Sequence, residues 1–331
     1  MNPVFSRLFL VVFVAFVSCQ GEDSSSSKQK RTLPSSSGTH SDLLVVVDDS
    51  PWFEGVGRAI AAHFAAPVLG LPQVESRFEI SRIPHRAFKP LVQRSKSILL
   101  ILILPDSSAV TYARDVWAAP QLVATVVAPS IAEAAALVKK TAPVLGDRFA
   151  SHDRALLARR LKKSGYQELP ASLVKMGIST FLLPQGFEQT LDKDSLACFR
   201  LDGKLTTQFI LVHSVPLRSA STLYADIVPR RDSLLKKYFE GPAPKSYLGT
   251  EMLDPPVQSE VTIDGKRAIE TRGLWRTFGD VGGGPFLHYT IVDKAHQRLL
   301  IFDGFIYGPG TKKRNALLEM ESIFRTARLR F

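Results

Sequence analysis

Val261-Thr262-Ile263-Asp264-Gly265-Lys266-Arg267-Ala268-Ile269-Glu270-Thr271-Arg272-Gly273-Leu274-Trp275 decides the fold. Two strand-like runs flank Asp264-Gly265, a dipeptide that accepts the positive φ of a two-residue hairpin turn. The pattern recurs at Leu196–Leu201 and Thr207–Val212 around Asp202-Gly203, and at Phe286–Val292 and Leu299–Tyr307 around Asp293-Lys294. Successive hairpins predict antiparallel sheet, where strand–helix–strand repeats would predict a parallel one. A helix over about Tyr224–Phe239 and a last helix with Leu317, Met320, Ile323 and Phe324 on one face supply covering layers. The expected fold class is therefore α+β: two sandwich-like halves with largely antiparallel sheets packed by helices.

Upstream, Leu43–Val47 is almost wholly apolar, the mark of a strand buried on both faces. Ile98–Leu104 and Leu122–Val127 read as further strands. Ser130 with Glu133 three residues on is a capping box opening an Ala-rich helix through Val138. A second helix is expected over about Asp153–Lys163, and a boundary near Ser164-Gly165 or within the following helical stretch to Met176-Gly177. This gives an N-terminal α+β domain over 41–165 and a C-terminal one over 166–331, with the meander and the final helix.

The chain has 331 residues, 45% hydrophobic and 22% charged, which excludes a disordered protein. The net charge is +11, but it is dispersed in short clusters such as Arg159-Arg160-Leu161-Lys162-Lys163. No block reaches the length of a nucleic-acid-binding tail, so no nucleic-acid partner is expected.

Near the start, Arg7 precedes the apolar run Leu8–Val17, then Ser18-Cys19. A positive residue before a short apolar run reads as an export signal over 1–18. Ten helical residues cover about 15 Å, half the hydrocarbon thickness of a bilayer, too short for an ordinary span. Phe16-Val17-Ser18-Cys19 resembles the lipobox of bacterial lipoproteins, with Phe16 in place of the usual leucine. That resemblance implies diacylglyceryl transfer to the Cys19 thiol, cleavage before it and acylation of the new amine. Several acyl chains at about 0.8 kcal/mol per buried methylene hold a protein to a membrane where one does not. Residues 19–40, which include Ser24–Ser27, are too polar to order themselves and read as a flexible tether. Cys198 is then the one remaining thiol, expected to be buried and inert.

No catalytic, cofactor or metal motif rises above background. Gly282-Gly283-Gly284-Pro285 leads into a strand rather than a helix, so it is a turn and not a phosphate cradle. The seven histidines show no metal-ligand spacing. The acid pair Asp48-Asp49 closes the first strand ahead of a helix; one is expected to cap that helix, and general acid–base work is the rarer alternative. Aromatic residues crowd the last meander. Arg272, Trp275, Phe286 and Tyr307 are the candidate binding surface there.

Several segments together resemble an uncharacterised lipoprotein family, a domain-of-unknown-function family typical of Bacteroidetes. They are Leu44–Val47 with Asp48-Asp49-Ser50-Pro51-Trp52, Gly70-Leu71-Pro72-Gln73, Trp117-Ala118-Ala119-Pro120-Gln121, Arg231–Tyr238, Arg272-Gly273-Leu274-Trp275, Gly283-Gly284-Pro285-Phe286 and Asp303–Tyr307. The resemblance covers about residues 33–328 and implies an exported, lipid-anchored protein in two parts. It supplies no catalytic residues. The second half also resembles the Mog1/PsbP-like fold in outline. The expectation is a lipid-anchored envelope protein, of the outer membrane and facing the periplasm or the outside, that binds or scaffolds an envelope protein or glycan without a cofactor. A hydrolase with a cleft between the halves and a purely structural lipoprotein are the alternatives.

Overall fold

The computed structural model describes residues 32–164, 168–217 and 223–331. The export signal and Cys19 lie outside them. Of the segment read as tether, Pro34–Ser37 runs beside the N-terminal sheet, where Ala119 N donates to Pro34 O (2.9 Å) and Ser37 N to Arg94 O (2.8 Å).

That sheet contains β1 (Asp42–Val46), β2 (Glu79–Ile83), β3 (Ser97–Ile103), β4 (Ala109–Arg114) and β5 (Leu122–Ala128), in the order β2-β1-β3-β5-β4. Only β4 runs antiparallel; the other three pairings are parallel. The continuous apolar runs of β1, β3 and β5 fit this, because both faces are covered. Val45 and Val47 pack in one cluster under the helices, whereas Leu44 and Val46 pack in another with Phe88 and Trp117.

One helix, Ile131–Lys163, stands where two were expected. Ser130 caps it, its Oγ accepting from Glu133 N (3.2 Å). The helix continues through Pro143, where the packing of Val138, Ala142, Leu145 and Phe149 in one core offsets the lost hydrogen bond. Ala134, Val138, Leu145 and Phe149 fill the N-terminal core, while Leu161 belongs to the C-terminal one.

Beyond it come β6 (Ile178–Thr180), β7 (Glu188–Lys193), β8 (Leu196–Asp202), β9 (Thr207–Pro216), β10 (Tyr247–Thr250), β11 (Val257–Ile263), β12 (Lys266–Phe278), β13 (Gly283–Asp293), β14 (Arg298–Tyr307) and β15 (Arg328–Leu329). Eight of these form an antiparallel, curled sheet in the order β10-β12-β13-β14-β9-β8-β7, with β11 also on β12. All three hairpins expected from the sequence are present. At the second, Asp264 and Gly265 both take positive φ (47° and 74°), as its turn requires. The molecule is α+β with mostly antiparallel sheet; the five-stranded sheet is its parallel-rich part.

The final helix, Arg314–Phe324, covers one face of the curled sheet through Leu317, Met320, Ile323 and Phe324. It lies so close that a side chain at Gly304 would collide with Met320 Sδ. The helix Ile227–Tyr238 covers the other face, with Leu235 against Trp275, Phe286 and Phe305.

Candidate functional site

A cleft of about 420 Å³ opens where both halves contribute a wall. The long helix brings Ala150, Asp153 and Arg154, and the final helix brings Leu317, Leu318, Glu321 and Arg325. Alternation along β11 turns Val257, Ser259 and Val261 inward, and β12 adds Glu270 and Arg272. The segment Pro67–Leu69 closes the rim, with Leu69 and Val257 each about half exposed. The volume falls in the range of small-molecule pockets, and apolar side chains make up much of the lining.

Two contacts hold the rim segment. Gly70 sits at φ 74°, and a Cβ there would stand 2.9 Å from Gly273 N. Only glycine permits both that conformation and that approach to β12. Glu75 reaches across to the final helix, accepting from Lys313 N (2.6 Å) and Arg314 N (3.0 Å). Its carboxylate thus satisfies amides at the positive end of a helix.

The charges of the cleft form a network. Arg272 donates through Nε to Glu270 (2.7 Å) and through Nη2 to Glu321 (2.9 Å). Arg325 Nε donates to Glu321 (3.0 Å), Arg154 lies 3.7 Å from the same carboxylate, and the Tyr289 hydroxyl donates to Glu270 (2.6 Å). Burial works to raise the Glu321 carboxyl, but Arg272, Arg154 and Arg325 outweigh it and hold the group below its ordinary range. Burial works against the Arg272 charge, and Glu270 and Glu321 again prevail, so it stays protonated. Five arginines (77, 154, 272, 314 and 325) line the cleft against three carboxylates (153, 270 and 321). The surplus is positive, and the lining, among the described residues, contains no histidine or cysteine. With Glu321 kept ionised, it is a poor proton donor. The arrangement suits holding an apolar body that carries an acidic group.

A triad-like set lies elsewhere. Thr290 Oγ1 is 2.9 Å from His288 Nε2, whose Nδ1 is 2.8 Å from Asp303 Oδ2. The spacing resembles a nucleophile, base and orienting acid. All three residues are 1% exposed or less, beneath Arg231, which donates through Nε to Asp303 (2.8 Å) and through Nη1 to Thr250 (3.1 Å). The Arg231 guanidinium also stacks on Phe286, 3.8 Å from the ring centre. No substrate reaches atoms so enclosed; the set pairs buried polar groups inside the sheet, with Asp303 Oδ1 and Arg231 Nη2 left without a hydrogen-bond partner among the described residues.

The residues singled out in the sequence are dispersed. Arg272 lines the cleft. Trp275 and Phe286 are buried on the opposite face of the sheet, the indole Nε1 donating to Ile306 O (3.1 Å). Tyr307, 42% exposed, stands at their edge with its ring 6.3 Å from that of Trp275. The four do not share one surface. Asp48 occupies the cap position but makes no cap hydrogen bond. Its carboxylate accepts from His85 N (3.0 Å), and that bond holds it below its ordinary range. Asp49 pairs with Arg82. Cys198 is buried, and burial pushes its thiol up to about 11. Among the described residues no group of His, Cys, Asp and Glu is placed to hold a metal, and no helix is long and apolar enough to cross a membrane. Sequence reading missed the rest of the cleft, whose parts are scattered from Ser41 to Arg325.

No curated protein matches the chain. Among solved structures, the Saccharomyces cerevisiae Ran-binding protein Mog1p is similar at 12% identity over 46% of this chain and 90% of that one, with a TM-score of 0.31. The human StarD13 lipid transfer and protein localization domain is similar at 11% identity over 43% and 88%, with a TM-score of 0.21. Neither likeness bears on activity. Residues 36–162 match the model of a Domain of unknown function (DUF8532), and residues 173–326 that of a second Domain of unknown function (DUF4837).

Proposed function

We propose that the chain is a lipid-anchored protein of the bacterial cell envelope whose body is a binding module. Cys19 carries the lipid, the anchoring membrane is the outer one, and the body faces the periplasm or the outside. The cleft takes a small ligand with an apolar body and an acidic group. The observation that carries this is the cleft itself, with apolar walls on β11 and the final helix and five arginines among its lining. The apolar part gains by leaving water, at roughly 25 cal/mol per Å² buried. Arg154 and Arg325, about a third exposed, are the cations an acid can meet without dismantling the Arg272–Glu270–Glu321 core of the network. The hydrolase alternative loses support because the triad-like set is closed to solvent and the cleft lining, among the described residues, contains no histidine or cysteine.

Two measurements test the proposal. Lipid labelling and fractionation should show wild type in the membrane with a labelled N-terminus and Cys19→Ala without label; equal labelling of both refutes the anchor. Native mass spectrometry of gently purified protein should show a bound acidic, apolar compound that Val257→Asp releases. Retention of that compound by the variant refutes the cleft as its site.

A further inference from the structure

A second concavity, of about 770 Å³, runs along the outer face of the long helix against β4 and Asp115–Leu122. It continues into a hollow of about 660 Å³ through shared residues, Asp115, Pro120, Leu156 and Arg159. Basic side chains punctuate the groove: Arg114 from β4, and Arg148, Arg159 and Lys163 from the helix. At about 1.5 Å per residue, Arg148 and Lys163 lie roughly 22 Å apart along it.

Two acids, Asp115 and Asp147, line the groove as well. Asp147 pairs with Arg77 (2.6 Å), and Asp115 accepts from Gln121 N (2.7 Å). Arg148 lies exposed over the Tyr112 ring, 4.1 Å from its centre. Among the described residues Arg114, Arg159 and Lys163 have no carboxylate partner. His152, 8% exposed, also lines the groove, and its Nε2 has no hydrogen-bond partner among them. Guanidinium groups in such a row match phosphate oxygens with paired N–H donors.

A separate observation concerns the chain itself. Pro34, where the described body begins to pair, bonds Ala119, and Ala119 lines the same hollow. The fourteen residues between Cys19 and Pro34 span at most about 50 Å when fully extended. An acyl group on Cys19 therefore keeps this end of the body within that distance of a bilayer.

We propose that the groove holds phosphate headgroups of anionic lipids in the bilayer that carries the acylated Cys19, so that the body docks by its long helix. This rests on the lipid-anchor proposal, but not on the cleft. A lipid chain combined with a basic patch is a two-signal membrane attachment, and each basic residue near an anionic surface contributes about a five-fold preference.

The test uses the full acylated protein in vesicles of phosphatidylcholine, with or without phosphatidylglycerol. Acetylation of Lys163 and phenylglyoxal labelling of Arg114 and Arg159 are followed, with Lys204 in the β8–β9 turn as the control. Labelling of the three groove residues should slow at least about five-fold on anionic vesicles and recover in high salt, while Lys204 is unchanged. R114Q/R148Q/R159Q should restore rapid Lys163 acetylation. Equal rates on both vesicles overturn the proposal. Equal slowing by inorganic phosphate without vesicles replaces the lipid with a soluble phosphate ligand. Protein whose Cys19 carries no acyl mass removes the anchor, and its co-sedimentation with anionic vesicles then judges the groove on its own.

Discussion

His213, 3% exposed beneath the helix Ile227–Tyr238, is pushed by burial, and further by His288, down to about 3. The unfolded imidazole titrates near 6.5, so below that pH the unfolded state binds a proton that the folded state refuses. Stability from this group is complete above about pH 6.5 and falls by about 1.4 kcal/mol per unit of acidification until about pH 3. Urea denaturation should show a loss of about 2 kcal/mol between pH 7 and pH 5, and His213→Gln should flatten that slope. Asp303 behaves in the complementary way. Burial raises its carboxyl, Arg231 and His288 lower it more, and the net depression gives stability that is present above about pH 4 and lost as pH falls through the folded value. Asp303→Asn leaves Arg231 without its buried counter-charge and should cost about 3–5 kcal/mol. Thr290→Val removes only the partner of His288 Nε2 and should cost about 1–3 kcal/mol. Ligand binding in the cleft should be unchanged by Thr290→Val, as measured by calorimetric titration; a loss of turnover in any substrate screen would make the triad-like set chemical after all.

At the scale of elements, the rim segment joins the two sheets. Gly70→Ala should cost at least about 1–2 kcal/mol for the left-handed backbone, and more for the approach to Gly273 N. Glu75→Ala should cost about 1–2 kcal/mol for the lost helix-end acceptor. Both are measured by urea denaturation, and both should weaken ligand binding in the cleft, whereas a surface change such as Lys204→Ala should do neither. The hairpin turns were legible because positive φ narrows the choice of residue, and Asp264-Gly265 carries that constraint in two letters. Strands β4 and β7 were not legible; each is an edge strand, mostly exposed, with little alternation to mark it. The long helix reads as two because no local signal shows that one core holds it on both sides of Pro143, through Val138 and Ala142 before it and Leu145 and Phe149 after it. Arg272, read with Trp275, Phe286 and Tyr307 in the sequence, lies apart from them in the fold. Trp275 lies an odd number of residues away, so strand alternation alone turns it to the other face. The ion-pair partners of Arg272, Glu270 and Glu321, include one from another element that no spacing rule connects.

Across the whole molecule, the cleft depends on one helix serving both cores. Residues up to Phe149 fix the long helix to the N-terminal sheet, Leu161 fixes it to the C-terminal one, and Asp153 and Arg154 between them face the cleft. Asp153 is itself anchored, pairing with the buried Lys96 (2.7 Å) and accepting from Ser41 N (2.7 Å). A ligand that binds there stabilises the folded body by about 2.7 kcal/mol at a hundred-fold excess over its Kd. The most direct measurement is calorimetric titration of 8-anilinonaphthalene-1-sulfonate, an aromatic anion, into the body Pro34–Phe331, which forms one unit by its contacts. Saturable one-to-one binding is predicted, weakened at least about ten-fold by Val257→Asp and several-fold by R154Q/R325Q, with the fold intact. Absence of saturable binding, or equal affinity in wild type and both variants, would contradict the cleft as a site for an apolar acid.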